Sequence, residues 1–141
     1  MTKRIAINGM GRIGRAAFKI LLTGGDFELA AVNDLLAADA LAYLLTYDSV
    51  YGRFPGKIEV HGEDLSVDGR CIPKYSEKNP QDLPWKEKGI DLVLECTGVF
   101  TGRRDLEKHI EAGAGRVILS APGKDENIPT VVYGANMPEN Q

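Results

Sequence analysis

The first part of the chain alternates between buried-strand and helical patterns. Residues Ile5–Asn8 form a short apolar run that ends in glycines, as expected of a parallel strand buried on both faces. A helix is then predicted from Arg12 to a pair of glycines at 24 and 25, with one apolar face made of Ile13, Ala16, Ala17, Ile20 and Leu21. Leu29–Val32 repeats the strand pattern, and Ala37–Tyr47 repeats the helical one.

The middle of the chain follows a different pattern. Lys57–His61 and Leu65–Val67 are short alternating stretches separated by glycine, which predicts an inserted β-hairpin. Cys71–Tyr75 follows as a predicted third core strand. A polar segment marked by Pro80 and Pro84 comes next, and it is predicted to be a loop.

The second half returns to strands and helices. Asp91–Glu95 reads DLVLE and is its clearest buried strand, and a helix is predicted over Arg103–Ala112 with Leu106 and Ile110 facing inward. Two more strands are predicted, over Arg116–Ser120 and Thr130–Tyr133. A series of about six strands that alternate with helices or loops predicts one α/β domain over residues 1–141, built on a doubly wound, mostly parallel sheet with an inserted β-hairpin.

A glycine-rich turn joins the first predicted strand to the first helix. It runs from Asn8 through the sequence GMGRIG, in which Gly9 allows a tight turn and Gly11 lets the backbone approach a pyrophosphate. Gly14 packs the helix against the strand, and Arg12 adds positive charge where the helix begins. A bare packing turn is the alternative, but the strand–turn–helix context favours a dinucleotide-binding Rossmann fold.

Asp34 ends the second predicted strand, twenty residues beyond the glycine turn. An acidic residue there accepts hydrogen bonds from the adenosine ribose hydroxyls and repels the 2′-phosphate of NADP, so NAD is the expected cofactor. Capping of the helix that begins near Ala37 is the alternative role for Asp34. The two roles are compatible with each other.

Cys96 follows a predicted strand at its carboxyl end, where α/β sheets place their ligands. A catalytic thiolate needs a lowered pKa and usually a histidine base, and neither His61 nor His109 has an evident route to Cys96. We therefore interpret Cys96 as a small residue packed beneath the cofactor rather than as a nucleophile. The two histidines are interpreted as ordinary surface or core residues.

Composition excludes several other classes of protein. Hydrophobic residues make up 43% of the chain, and a net charge of −3 argues against nucleic acid or an anionic membrane as a partner. The sequence has no apolar run long enough to span a membrane, so a soluble, cytoplasmic protein is expected. Cys71 and Cys96 suit neither a disulfide framework nor a zinc site, and no metal is expected.

Five motifs taken together resemble one enzyme family. They are INGMGRIGR, VND, YDSVYGRF, LPWKEKGIDLVLECTGVFT and SAPGKD, and they extend through nearly the whole chain in order. With these motifs the chain closely resembles glyceraldehyde-3-phosphate dehydrogenase. The resemblance implies an NAD-dependent, phosphorylating oxidoreductase of glycolysis that converts glyceraldehyde 3-phosphate to 1,3-bisphosphoglycerate.

The resemblance also implies roles for particular residues. Arg12 and Ile13 match the pyrophosphate-binding turn, and Asp34 matches the carboxylate that binds the adenosine ribose. Lys78 matches a basic position whose backbone lies near adenine. The remaining matched positions are Cys96, Thr97 and Gly98, in a segment beside the cofactor that commonly reads Ser-Thr-Gly in the family, and Ser120, at the nicotinamide end. A sister family that oxidises erythrose 4-phosphate has a similar sequence, but it carries Glu at the position of Asp34. Asp34 therefore favours the triose phosphate enzyme.

The family's nucleophilic cysteine motif is expected shortly after Gln141. We therefore expect residues 1–141 to be an NAD-binding domain without the catalytic half, inactive alone, from an enzyme that is a homotetramer at full length. An apolar face left without its covering helix is expected to cause self-association or marginal stability. The alternative is a free-standing, non-catalytic module that binds NAD or a protein partner.

Overall fold

The computed structural model describes residues 2–49, 52–121, 123–124 and 128–129. In chain order its elements are β1 (Lys3–Asn8), α1 (Arg12–Thr23), β2 (Phe27–Asn33), α2 (Ala38–Thr46), β3 (Ile58–His61), β4 (Asp64–Val67), β5 (Arg70–Ile72), β6 (Lys74–Tyr75), α3 (Trp85–Lys88), β7 (Leu92–Glu95), α4 (Arg103–Glu111) and β8 (Arg116–Leu119). A short 3-10 turn over Pro80–Asp82 precedes α3. The strand predicted over Thr130–Tyr133 lies outside the described residues.

The main sheet has five parallel strands in the order β6-β2-β1-β7-β8. When these strands are numbered along the chain, the order is 3-2-1-4-5, as in doubly wound α/β sheets. The prediction of a mostly parallel, doubly wound sheet is confirmed. Because the strand order reverses beside β1, a crevice is expected at the carboxyl ends of β1 and β7.

Helix α1 is rotated relative to the face predicted from the sequence. Ile13 and Ile20 are 58% and 69% exposed, so their place on the buried face was predicted wrongly. The helix instead buries Gly14 and Phe18. A Cβ on Gly14 would clash with the carbonyl oxygen of Gly9, so the helix approaches the glycine turn through this position and turns its isoleucines outward.

The inserted segment forms a separate antiparallel sheet of β3, β4 and β5, which confirms the hairpin and adds a third strand. The predicted strand Cys71–Tyr75 divides between two sheets, since β5 belongs to the small sheet and β6 pairs with β2. Pro73 lies between these strands, and its carbonyl oxygen accepts a hydrogen bond from Val32. A proline has no N–H to continue the ladder of the small sheet, which explains the division.

The second half differs from the prediction in two places. Trp85 begins a short helix within the predicted loop and is fully buried. On α4, Leu106 is buried as predicted, whereas Ile110 is 46% exposed and His109 is fully buried in its place. In the described part of the chain, no helix combines the length and apolar character needed to cross a membrane.

Candidate functional site

A cavity of about 390 Å³ opens at the carboxyl ends of the central strands. Its walls come from the ends of β1, β2 and β7 and from the loop after β6. They comprise Asn8, Gly9, Gly11, Asn33, Asp34, Leu35, Glu77, Lys78, Cys96, Thr97, Val99 and Phe100. Ligands bind at this place in a doubly wound sheet.

The glycine turn forms one side of the cavity. Gly9 has a φ of +95°, and a Cβ on it would lie 2.6 Å from the Thr97 nitrogen, so the turn is both tight and closely packed. A Cβ on Gly11 would have no neighbour within 4 Å, which leaves its backbone open to an approaching ligand. Each glycine therefore has the environment predicted for a dinucleotide-binding turn.

The beginning of α1 suits an anion. Gly11 is the N-cap residue, no side chain caps the first turn, and that turn contains no acidic residue. The first N–H groups of a helix lack partners within the helix and lie at the positive end of its dipole. A pyrophosphate supplies the acceptors and the negative charge that these groups require.

Asp34 connects the end of β2 to the glycine turn. Its Oδ2 accepts a hydrogen bond from Met10 N at 2.7 Å, and its Oδ1 accepts one from Leu36 N at 2.8 Å. The N-cap residue of α2 is Ala37, so the alternative that Asp34 caps this helix is wrong. Each carboxylate oxygen has a second lone pair, so Asp34 retains acceptor capacity for ribose hydroxyls.

Cys96 forms part of the opposite wall and is half-buried. Burial raises the pKa of its thiol above the ordinary value, a hydrogen bond with Ser120 lowers it, and the nearby charge of Glu95 raises it. The net increase in pKa disfavours the thiolate that a nucleophile requires. His109 is hydrogen-bonded to Trp85 and Glu95, and His61 is the exposed last residue of β3, so the geometry gives Cys96 no histidine base.

Arg12 and Ile13 lie beside this cavity rather than in its wall. They line a second cavity of about 250 Å³, where Arg12 Nη1 is 3.2 Å from Asp48 Oδ2. Gly98 has a φ of +77° and lies between Thr97 and Val99, which both line the first cavity. Ser120 follows β8, and its backbone nitrogen donates to the carbonyl oxygen of Glu95 at 3.1 Å.

Asn8 was among the predicted site residues, but the sequence interpretation missed its buried polar partners Asn33 and Glu95. Asn8 Nδ2 donates to Glu95 Oε1 at 2.6 Å, and Asn33 Nδ2 donates to Asn8 Oδ1 at 2.7 Å. These three residues are the last of β1, β2 and β7, and each is at most 3% exposed. A polar residue at the carboxyl end of an otherwise apolar parallel strand was the available signal.

The described residues hold no group of three or more His, Cys, Asp or Glu side chains that could bind a metal ion. What they do combine is a parallel sheet, a glycine turn leading into a helix, and an acidic residue at the end of the second strand. These features define a dinucleotide-binding domain of the Rossmann type.

Comparison with known proteins identifies the family. Residues 3–103 match the sequence model described as the NAD-binding domain of glyceraldehyde 3-phosphate dehydrogenase. The chain belongs to this family, and its cofactor is NAD. The resemblance found in the sequence motifs is thereby confirmed.

Relatives from distant bacteria agree with this assignment. The chain is 52% identical to the glyceraldehyde-3-phosphate dehydrogenase of Chlamydia pneumoniae, in an alignment covering 94% of the chain and 40% of that protein. It is 51% identical to the Pseudomonas aeruginosa enzyme and 50% identical to the Geobacillus stearothermophilus enzyme, over 96% of the chain in each case. The chain spans about 40% of the length of these relatives.

Proposed function

We propose that residues 1–141 are the cofactor-binding part of an NAD-dependent, phosphorylating glyceraldehyde-3-phosphate dehydrogenase, which oxidises glyceraldehyde 3-phosphate to 1,3-bisphosphoglycerate. The observation that carries the proposal is the cavity bounded by the glycine turn on one side and Asp34 on another. NAD supplies a hydride acceptor when it is bound. The residues of this chain bind and orient it.

The proposed roles follow from position around the cavity. Gly9, Gly11 and the N–H groups at the start of α1 bind the pyrophosphate, and Asn8, which lines the cavity beside them, is a further proposed cofactor-binding residue. Asp34 accepts hydrogen bonds from the adenosine ribose, and Lys78 lies at the adenine end. The other proposed cofactor-binding residues are Arg12, Ile13 and Gly14 in the turn and helix, Cys96, Thr97 and Gly98 in the opposite wall, and Ser120 at the nicotinamide end.

The aldehyde chemistry is proposed to depend on a segment outside residues 1–141. Cys96 is the one cysteine in the wall of the cavity, and its raised pKa does not suit a nucleophile. The chain alone is therefore expected to bind NAD without turning over substrate. A homotetrameric, cytoplasmic parent enzyme is part of the same proposal.

Self-association of the isolated chain is also proposed. Ile13 and Ile20 on α1 are each more than half exposed, and so are Val99 in the wall of the cavity and Ile118 on β8, which is the last strand of the sheet among the described residues. Exposed apolar side chains of this size favour contact with a second apolar surface.

Titration of the purified chain with NAD and NADP tests the cofactor proposal. Saturable binding that favours NAD is expected, and Asp34→Ala should weaken NAD binding by about tenfold or more, because charged hydrogen bonds to the ribose are lost. Asp26→Ala is the matched control, since Asp26 is exposed and lies before β2 at the other end of the strand. Absence of NAD binding, or a preference for NADP, would contradict the proposal.

A further inference from the structure

A buried histidine and a buried glutamate form a pair directly beneath the cavity. His109 on α4 and Glu95 at the end of β7 are both fully buried, and His109 Nε2 lies 2.9 Å from Glu95 Oε1. In the described part of the chain, no lysine or arginine forms an ion pair with this carboxylate. Burial of a carboxylate costs free energy unless its oxygens accept hydrogen bonds. The hydrogen bonds of Glu95 therefore determine the geometry of the pair.

The ring of His109 is restricted to one tautomer. Trp85 Nε1 lies 3.0 Å from His109 Nδ1, and an indole N–H can only donate a hydrogen bond. Nδ1 must therefore accept and carries no proton. The proton of the neutral ring is then on Nε2, where it is donated to Glu95.

Four donors converge on the Glu95 carboxylate. Oε1 accepts from Asn8 Nδ2 and from His109 Nε2, at 2.6 and 2.9 Å. Oε2 accepts from the backbone N–H of Thr97 at 2.9 Å and from its hydroxyl at 2.7 Å. Neutral donors thus satisfy both oxygens. Each oxygen accepts two hydrogen bonds, so the carboxylate has no free lone pair left.

The Thr97 hydroxyl extends this network into one wall of the cavity. Because its proton is donated to Glu95, its oxygen accepts from the backbone nitrogens of Val99 and Phe100, at 3.2 and 3.4 Å. All three of these residues line the cavity. Glu95 therefore orients the hydroxyl that holds this wall in shape.

Asn8 extends the network into the opposite wall. Its Oδ1 accepts from Asn33 Nδ2, and Asn33 in turn exchanges two hydrogen bonds with the backbone of Glu77, at 2.9 and 3.0 Å. Glu77 lies next to Lys78 in the wall at the proposed adenine end. One continuous chain of hydrogen bonds thus connects the two sides of the cavity through Glu95.

We propose that Glu95 and His109 are positioning residues for NAD. Trp85 fixes the tautomer of His109, and the His109–Glu95 pair keeps the two walls of the cavity in a fixed relative position. The inference rests on the proposed function, since it takes NAD to be the occupant of the cavity. Neither side chain lines the cavity, so both act through Thr97 and Asn8.

Glu95→Gln distinguishes positioning from a simple charge effect. Each carboxylate oxygen of Glu95 accepts hydrogen bonds from two donors, and the NH2 group of Gln must face one of these two pairs of donors. The walls should therefore shift, and the dissociation constant for NAD should rise about tenfold. Removal of a negative charge near an anionic dinucleotide would by itself tighten binding. Glu87→Gln, at an exposed residue of α3, is the matched control and should bind NAD as the unchanged protein does.

A spectroscopic measurement tests the tautomer independently of NAD. Nitrogen-15 NMR of the His109 ring should show an unprotonated Nδ1 and a protonated Nε2 at neutral pH. Trp85→Phe removes the donor to Nδ1, so the Nδ1 resonance should shift, while Nε2 should stay protonated against Glu95. A protonated Nδ1 in the unchanged protein would overturn the proposed arrangement.

Substitution of His109 separates positioning from stability. His109→Gln can offer an N–H to Glu95 and an oxygen to Trp85, so it should retain NAD affinity within about threefold, whereas His109→Leu should lose about tenfold. Affinities are measured well below the melting temperatures found by circular dichroism. If His109→Leu does not fold, Glu95→Gln and the NMR spectrum decide the question.

The outcomes for the proposed function and for this inference are distinct. If the unchanged chain binds no NAD, both are overturned. If it binds NAD, and Glu95→Gln binds equally well or more tightly, the positioning role alone is overturned. A lower melting temperature in Glu95→Gln with unchanged NAD affinity would show a purely structural role and would also overturn it.

Discussion

The two edges of the main sheet carry polar groups in opposite environments. At the carboxyl edge, Asn8, Asn33 and Glu95 are almost fully buried and hydrogen-bonded to one another or to Thr97. At the amino edge, Arg4 pairs with Glu28 at 2.8 Å, and these side chains are 36% and 39% exposed. Both edges look well connected in terms of distances alone.

Burial makes the two sets of contacts different in energy. A buried polar group that loses its partner pays the full desolvation penalty, whereas an exposed ion pair can exchange its partner for water. Polar groups at the carboxyl edge therefore fix the shape of the cavity, while those at the amino edge are replaceable. Doubly wound sheets bind their ligands at the carboxyl edge.

The largest expected effect comes from Gly14→Ala. A Cβ there would clash with the carbonyl oxygen of Gly9, and backbone on both sides would have to shift, so we expect loss of NAD binding and a large loss of stability. Gly25→Ala at the amino edge is the matched control, because its Cβ would meet nothing within 4 Å. Thermal melts and NAD titration of both variants measure the contrast, and a stable Gly14→Ala protein that binds NAD would contradict it.

A smaller but clear effect is expected from Asn33→Leu. The change keeps the approximate volume but leaves Asn8 Oδ1 and the backbone N–H of Glu77 without their partners, which should lower the free energy of unfolding by about 2–4 kcal/mol. Asn79→Leu is the control, since exposed Asn79 donates no bond to the network and accepts one from Gln81 N. Equal losses in urea titrations of the two variants would show that burial is not the decisive difference.

Much of the carboxyl edge could be predicted from the sequence. The carboxyl ends of parallel strands lie at a common edge, and the glycine spacing is typical of a strand–turn–helix unit, so the sequence could bring Gly9, Gly11 and Asp34 together; all three line the cavity, and their binding roles stay predictions. Local sequence was sufficient because the turn, the helix start and the strand end are each determined by a few neighbouring residues.

The remaining features depend on contacts that are distant in the chain. The rotation of α1 follows from the contact of Gly14 with Gly9, which overrides the apolar stripe that includes Ile13 and Ile20. The burial of His109 depends on Trp85, 24 residues earlier, and on Glu95, 14 residues earlier. A lone histidine in a helical pattern gives no sign of either partner, so the sequence left an ordinary surface residue and an ordinary core residue both open.

The smallest effect is expected at the amino edge, from Glu28→Gln. This change removes the ion pair with Arg4 and the longer one with Arg70 at 3.6 Å, yet the side chains involved are 36–48% exposed. Exposed ion pairs contribute about 0–1 kcal/mol and are screened by salt, so the free energy of unfolding should fall by no more than this and the difference should shrink as salt is added. NAD affinity should be unchanged, because Glu28 lies at the opposite end of β2 from Asp34. A loss as large as that of Asn33→Leu, measured in the same urea titrations, would mean that the amino edge is as tightly determined as the carboxyl edge and that burial does not separate them.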